Sequence, residues 1–133
     1  MADGIHPGSR RPVVLLVDDE RNFLVALKLN LERDFEVETA NSSEEAEIMM
    51  GSGSYDVVVC DHLMPGELGL EFLSRMKDVF PQTRRILITG YLNPELLSRS
   101  VSLAGLSACL IKPIKAEAIA AAVKGALAQG PQN

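Results

Sequence analysis

Acidic residues stand at two points where apolar runs end. Val13-Val14-Leu15-Leu16-Val17 runs into Asp18-Asp19-Glu20, and Val57-Val58-Val59-Cys60 runs into Asp61, with His62-Leu63-Met64-Pro65-Gly66 following. Two further apolar runs end in other polar residues: Arg85-Ile86-Leu87-Ile88 in Thr89-Gly90, and Ala108-Cys109-Leu110-Ile111 in Lys112-Pro113. Three carboxylates held together repel one another, which raises their pKa values unless a cation joins them. A small set of oxygen ligands suits Mg2+, which keeps several waters and leaves room for phosphate oxygens. Lys112 offers a compact positive charge on a flexible stem. Thr89 offers a hydroxyl donor, and Gly90 lets backbone come close. The chemistry that fits is phosphoryl transfer onto a carboxylate, with aspartate as nucleophile and positive charge neutralising the oxygens in transit. No histidine is placed to activate a serine or either cysteine.

For these residues to meet, their runs must lie side by side and end at one edge. Short apolar runs bounded by turn signals read as strands buried on both faces. Such a strand cannot carry a charge in its middle but can present one at its carboxyl end. Helical spacing fills the gaps. Phe23, Leu24, Leu27 and Leu31 predict a helix over about 20–33, and Ser42 with Glu45 forms a capping box for a second. That second helix has Ala46, Met49 and Met50 as its apolar face and ends at Gly51-Ser52-Gly53-Ser54. The linker lacks the Gly-Lys-Ser/Thr ending of a phosphate-cradling loop. Leu70, Leu73, Met76 and Phe80 mark a third helix, stopped by Pro81. Asn93-Pro94 starts a fourth as N-cap and first helical residue, and Gly105 ends it in the left-handed conformation. The last helix, about 115–129, is expected to bury Ala118, Ile119, Ala122, Val123, Ala126 and Leu127. Phe35-Glu36-Val37-Glu38-Thr39 alternates apolar and polar residues, which suits a strand at the sheet edge. Five such units imply an α/β fold with a parallel sheet, helices on both faces and right-handed crossovers. In open sheets of this kind the functional site lies outside the carboxyl ends of the strands.

The chain has 133 residues, 47% of them hydrophobic, which is enough for one packed domain. Its formal net charge of -5 argues against nucleic acid or an anionic membrane as a direct partner. No apolar run approaches the roughly 18 residues of a membrane span. The first residues lack the apolar core of a secretion signal, so a cytoplasmic location is expected. Residues 1–11 read as a flexible tail, with His6 incidental, residues 12–129 as the domain, and residues 130–133 as a second tail. Cys60 and Cys109 lie on strands that a third is expected to separate. That spacing is about 9.6 Å, beyond the roughly 7 Å limit for a disulfide, so both are expected as buried free thiols.

The set Val17-Asp18-Asp19-Glu20, Cys60-Asp61-His62-Leu63-Met64-Pro65-Gly66, Ile88-Thr89-Gly90 and Ile111-Lys112-Pro113 resembles the signature of the response-regulator receiver (CheY-like) family. Each motif alone is weak; four in order, each at a strand end, are specific, and they cover about residues 12–129. The resemblance implies a flavodoxin-like sheet with strand order 2-1-3-4-5, for which CheY is itself a standard example. It implies that Asp61 accepts a phosphoryl group from a histidine kinase or histidine phosphotransfer protein. Asp19 and Asp61 would bind Mg2+ with the backbone carbonyl of Leu63, Asp18 acting largely through water. Thr89 would move to hydrogen-bond the phosphoryl group, Lys112 would pair with it, and the Lys112-Pro113 bond would be cis. Such a domain is a phosphoryl acceptor and switch, with at most self-dephosphorylation, rather than an enzyme with turnover. Its output would be a separate protein, a fused effector domain, or a homodimer through the face of the fourth helix, fifth strand and fifth helix.

Two departures from the family bear on mechanism. Receivers often carry Tyr or Phe three residues before the lysine, where this chain has Cys109. Leu63, two residues after Asp61, is apolar where a polar residue could orient water; Leu63 and Tyr91 are expected to shield the acyl phosphate. His62 reads as a loop residue rather than a ligand. Two other functions stay open at this point. One is a receiver-shaped scaffold that needs no phosphate. The other is a phosphohydrolase with an aspartyl-phosphate intermediate, although such enzymes usually have a second aspartate at the position of Leu63.

Overall fold

The four apolar runs and the alternating stretch become five parallel strands in the order β2-β1-β3-β4-β5. A computed structural model describes residues 10–90 and 93–129, without the side chains of 96, 97, 100 and 101. The elements are β1 (Val13–Val17), α1 (Arg21–Leu31), β2 (Glu36–Ala40), α2 (Ser43–Ser52), β3 (Val57–Asp61), α3 (Gly69–Val79), β4 (Arg84–Thr89), α4 (Pro94–Ala104), β5 (Ala108–Ile111) and α5 (Ala116–Ala128). His6, Tyr91 and residues 130–133, all read above, lie outside the described residues.

Alternation along the strands divides the core in two. Val14, Leu16, Val57, Val59, Ile86 and Ile88 meet Leu24, Leu27 and Leu31 of α1 and Ile119, Val123 and Ala126 of α5. The opposite face, with Leu15, Val17, Val58, Cys60 and Leu87, is covered by Ala46 and Met50 of α2, Phe72, Leu73 and Met76 of α3, and Ala104 of α4. Every residue of β1 and β3 is buried, as strands covered on both faces must be. β2 lies at the edge with Glu36 exposed and Val37 buried, as its alternation predicts. It begins one residue later than the pattern suggests because the Phe35 N–H still bonds the Leu31 carbonyl at the close of α1.

The punctuation residues act as read. Ser42 Oγ accepts the Glu45 N–H at 3.1 Å, while the Glu45 carboxylate accepts the Asn41 N–H at 2.7 Å. Asn93 Oδ1 accepts the Glu95 N–H at 2.8 Å, and Gly105 has φ +55°. The Lys112-Pro113 bond is cis.

Some expectations change. Ala118 is exposed rather than buried, because α5 turns Ile119 and Val123 to the sheet and the residue before Ile119 faces out. Cys60 is fully buried, but Cys109 is only half-buried because β5 is an edge strand; both thiols are free. Cys60 and Cys109 each pair with Leu87, one on either side, so β4 separates them. Arg11 in the leading tail is held: its guanidinium donates to the carbonyls of Glu32 and Phe35. Among the described residues no helix is long and apolar enough to cross a membrane.

Candidate functional site

Strand register builds the site. Val17 pairs with Cys60, so Asp18 and Asp61 leave the sheet side by side. Asp61 pairs with Ile88, and Thr89 with Ile111, which sets Thr89 and Lys112 one step further along on the neighbouring strands. Asp18, Asp19, Glu20, Asp61, Leu63, Gly90 and Lys112 line one open pocket of about 490 Å3 beyond these strand ends. Thr89 lies beneath it, 1% exposed. The residues picked from sequence are therefore brought to one place.

One carboxylate oxygen from each of Asp18, Asp19 and Asp61 lies within 4.8 Å of the others. Asp18 and Asp61 are buried and Asp19 is exposed, so two charges sit in the fold and the third faces water. Lys112 Nζ lies 2.8 Å from Asp61 Oδ1 and 3.7 Å from Asp18 Oδ2. Burial pushes the Asp18 carboxyl up, the Glu20 N–H it accepts at 2.9 Å works against this, and the Asp61 charge adds to it. Burial alone would lower the Lys112 ammonium, yet its hydrogen bond to Asp61 and the charges of Asp61, Asp18 and Glu20 leave its pKa raised. A single ammonium thus serves two buried carboxylates, and the donor set is all oxygen. That arrangement fits a divalent cation of the Mg2+ type, which would relieve the remaining repulsion.

The surroundings hold Asp61 in place. The His62 N–H donates to the Ile88 carbonyl at 2.8 Å, and the His62 carbonyl accepts the Gly69 N–H at 2.8 Å. His62 Nδ1 accepts the Leu70 N–H at 3.3 Å. His62 is thus a buried tie between β3 and the start of α3. A Cβ on Gly69 would come within 2.2 Å of the Asp61 carbonyl oxygen, so only glycine lets α3 begin there. Lys112 is steadied by its backbone N–H, which donates to the Thr89 carbonyl at 2.8 Å, and by the Phe23 ring, whose centre lies 5.1 Å from Nζ. Sequence reading missed Gly69, Phe23 and Glu20 as parts of the site. Phe23 fell on a helical apolar face and gave no sign of its charged neighbour. The Cys60 thiol is pushed well up by burial, with Asp61 and Asp18 adding to it, which leaves it inert.

A larger hollow of about 620 Å3 lies between α2 and α3. Its cation, Arg75, is already held by Glu47 and Glu67, each at 2.9 Å, and no strand-end acid lines it.

The response regulator receiver domain family matches residues 14–124. Among curated relatives, the hydrogenase transcriptional regulatory protein HoxA of Cupriavidus necator is 35% identical over 125 residues, covering 93% of this chain and 26% of that protein. The phosphate regulon transcriptional regulatory protein PhoB of Rhizobium meliloti is 36% identical over 78 residues, covering 58% of this chain and 34% of that protein. The chain spans about a quarter of the length of HoxA. Among solved structures, the signal receiver domain of an HD domain-containing protein from Pseudomonas fluorescens superposes with TM-score 0.82 at 28% identity, covering 89% of this chain and 95% of that one. A response regulator from Burkholderia pseudomallei, solved with a phosphorylated aspartic acid and a calcium ion, superposes with TM-score 0.77 at 27% identity, covering 84% and 66%. Phosphorylation on aspartate and Mg2+ binding at clustered acids are general features of such domains. With four strand-end motifs converging on one acidic pocket and the family matching most of its length, this chain belongs to the response regulator receiver domains of two-component signalling.

Proposed function

We propose that Asp61 is the phosphoacceptor of a phosphorylation switch, and the observation that carries this is the Lys112–Asp61 contact at 2.8 Å beside Asp18 and Asp19. A carboxylate oxygen of Asp61 attacks phosphorus as the donor's P–N bond, in a phosphohistidine, breaks. The donor imidazole leaves, and an acyl phosphate remains. The donor is a histidine kinase or a histidine phosphotransfer protein. Asp19 and Asp61 would hold Mg2+ together with the Leu63 carbonyl, with Asp18 acting largely through water, and an ion held there would supply positive charge against the phosphoryl oxygens. Lys112 gives up part of its contact with Asp61 to pair with the same oxygens, and Thr89 supplies a hydroxyl bond. Leu63, 62% exposed at the pocket rim, covers the acyl phosphate against water; Tyr91, its expected companion, lies outside the described residues.

The gain of nearly two negative charges is read by the face of α4, β5 and α5. Every residue of β5 is half-buried at the sheet edge, which leaves that face accessible. Its partner is an output protein, a fused effector domain or a second copy. The names of the curated relatives, transcriptional regulators several times longer than the match, support a fused effector.

Acetyl phosphate with Mg2+, followed by mass spectrometry, tests the acceptor. One base-labile, hydroxylamine-sensitive phosphoryl adduct per chain is expected, absent in Asp61→Asn. A label that survives in Asp61→Asn overturns the assignment, and turnover of a phosphomonoester would instead favour a hydrolase.

A further inference from the structure

Arg85 is a charged side chain that the phosphoryl chemistry does not use, and it is 1% exposed in the middle of the sheet. Its Nε donates to the Ala104 carbonyl at 2.8 Å, its Nη2 to the Gly105 carbonyl at 3.1 Å, and its Nη1 to the Thr83 carbonyl at 2.7 Å. From α3, Ser74 Oγ donates to the Leu103 carbonyl at 3.1 Å. Three successive carbonyls at the end of α4, which no later turn of that helix can satisfy, are therefore held by side chains of β4 and α3. A guanidinium suits the negative end of a helix. Gly105, at φ +55°, lets the chain turn away directly over Arg85, where a Cβ would stand 3.3 Å from Nη2.

Arg85, Leu87 and Thr89 alternate with Ile86 and Ile88, so Arg85 and Thr89 share the face of β4 that α3 and the end of α4 cover. They are four residues apart on one strand, about 13 Å. Thr89 lies beside the phosphoacceptor and joins the start of α4 through residues 90–93. We infer that Arg85, aided by Ser74, pins the C-terminal end of α4, so that a shift of Thr89 turns α4 about that end and is displayed by its N-terminal half. This rests on the phosphoacceptor reading for its trigger, though the pin itself belongs to the resting fold.

The test has two arms on the whole chain. In the resting protein, hydrogen exchange of residues 103–105 is compared in wild type, Arg85→Met and Ser74→Ala. Methionine fills similar volume without a charge and leaves the carbonyls that Arg85 serves without their donor. Exchange is expected to rise tenfold or more in Arg85→Met and about threefold in Ser74→Ala. Unchanged exchange in both variants overturns the pin, and Ser74→Ala alone decides it if Arg85→Met does not fold. In the second arm, Mg2+ and beryllofluoride are added and backbone amide shifts followed. Changes in wild type are expected to be large over 89–98 and to fade by 103–105, then to spread through 105 in Arg85→Met. Equal changes along α4 in wild type overturn the pivot. Shifts missing at Asp61 and Thr89 count against the phosphoacceptor instead, and the exchange arm still decides the pin.

Discussion

Asp18 pays most for its place in the site: it is 3% exposed, with its carboxyl pushed up by burial and by Asp61. A raised carboxyl pKa means that the fold disfavours the ionised form. That cost is fully present above the folded-state pKa and disappears as pH falls through it. Without divalent ions, Asp18→Asn is therefore expected to stabilise the protein at neutral pH, seen as a higher urea midpoint than wild type, with the gain lost as pH falls through the Asp18 pKa. The amide oxygen can still accept the Glu20 N–H, and only the 3.7 Å approach of Lys112 is given up. Mg2+ affinity, followed by calorimetry, should drop roughly tenfold or more. Leu63 makes the second prediction at this scale. If its side chain keeps water from the acyl phosphate, Leu63→Asn shortens the phosphoryl lifetime several-fold. An unchanged or longer lifetime rejects that role.

Among the elements, the junction of β3 and α3 positions Asp61 most directly. The Gly69 Cα rests against the Asp61 carbonyl, and the helix start is bonded to His62 through the Gly69 and Leu70 N–H groups. Gly69→Ala must push α3 away from the strand end. It is expected to cost about 1–3 kcal/mol of stability and to slow labelling of Asp61 by acetyl phosphate. Normal stability and labelling in that variant would contradict the close approach. The elements themselves were legible because their signals are local: Ser42 with Glu45, Asn93 before Pro94, Gly105 after Ala104, and apolar runs ending in acid. Contacts between distant segments left no such mark. Nothing around Gly69 announces that its backbone meets Asp61, and the Arg85 side chain lies buried in a run that reads as apolar apart from its first residue. Phe72, fully buried on α3, also went unremarked, since Leu70, Leu73 and Met76 already met the helical spacing.

For the molecule as a whole, two apolar layers share one sheet. β1, β3 and β4 send alternate residues to both, so neither layer can loosen without exposing the back of the other. Ile119→Ala on the α5 side and Leu73→Ala on the α3 side are each expected to cost about 2–5 kcal/mol. Both should move a single transition that circular dichroism and tyrosine fluorescence report at the same midpoint. Two separated transitions would show that the layers melt independently. The edge position of β2 was readable at this scale because only β2 alternates in polarity, while the full strand order came from the family resemblance. The half-burial of Cys109 was not, since an apolar run on the other edge strand looks the same as one inside.

The cation facing Asp61 directly follows β5, the last of the five strands in chain order, and stands fifty-one residues after Asp61. On a ribosome adding roughly 5–20 residues per second, that separation is a delay of about 3–10 s. During it the acids of β1 and β3 are already in hand while their lysine is still unmade. An unfinished chain thus carries the aspartate but not its counter-charge, and the pairing of Asp61 with Lys112 arrives only with a complete sheet.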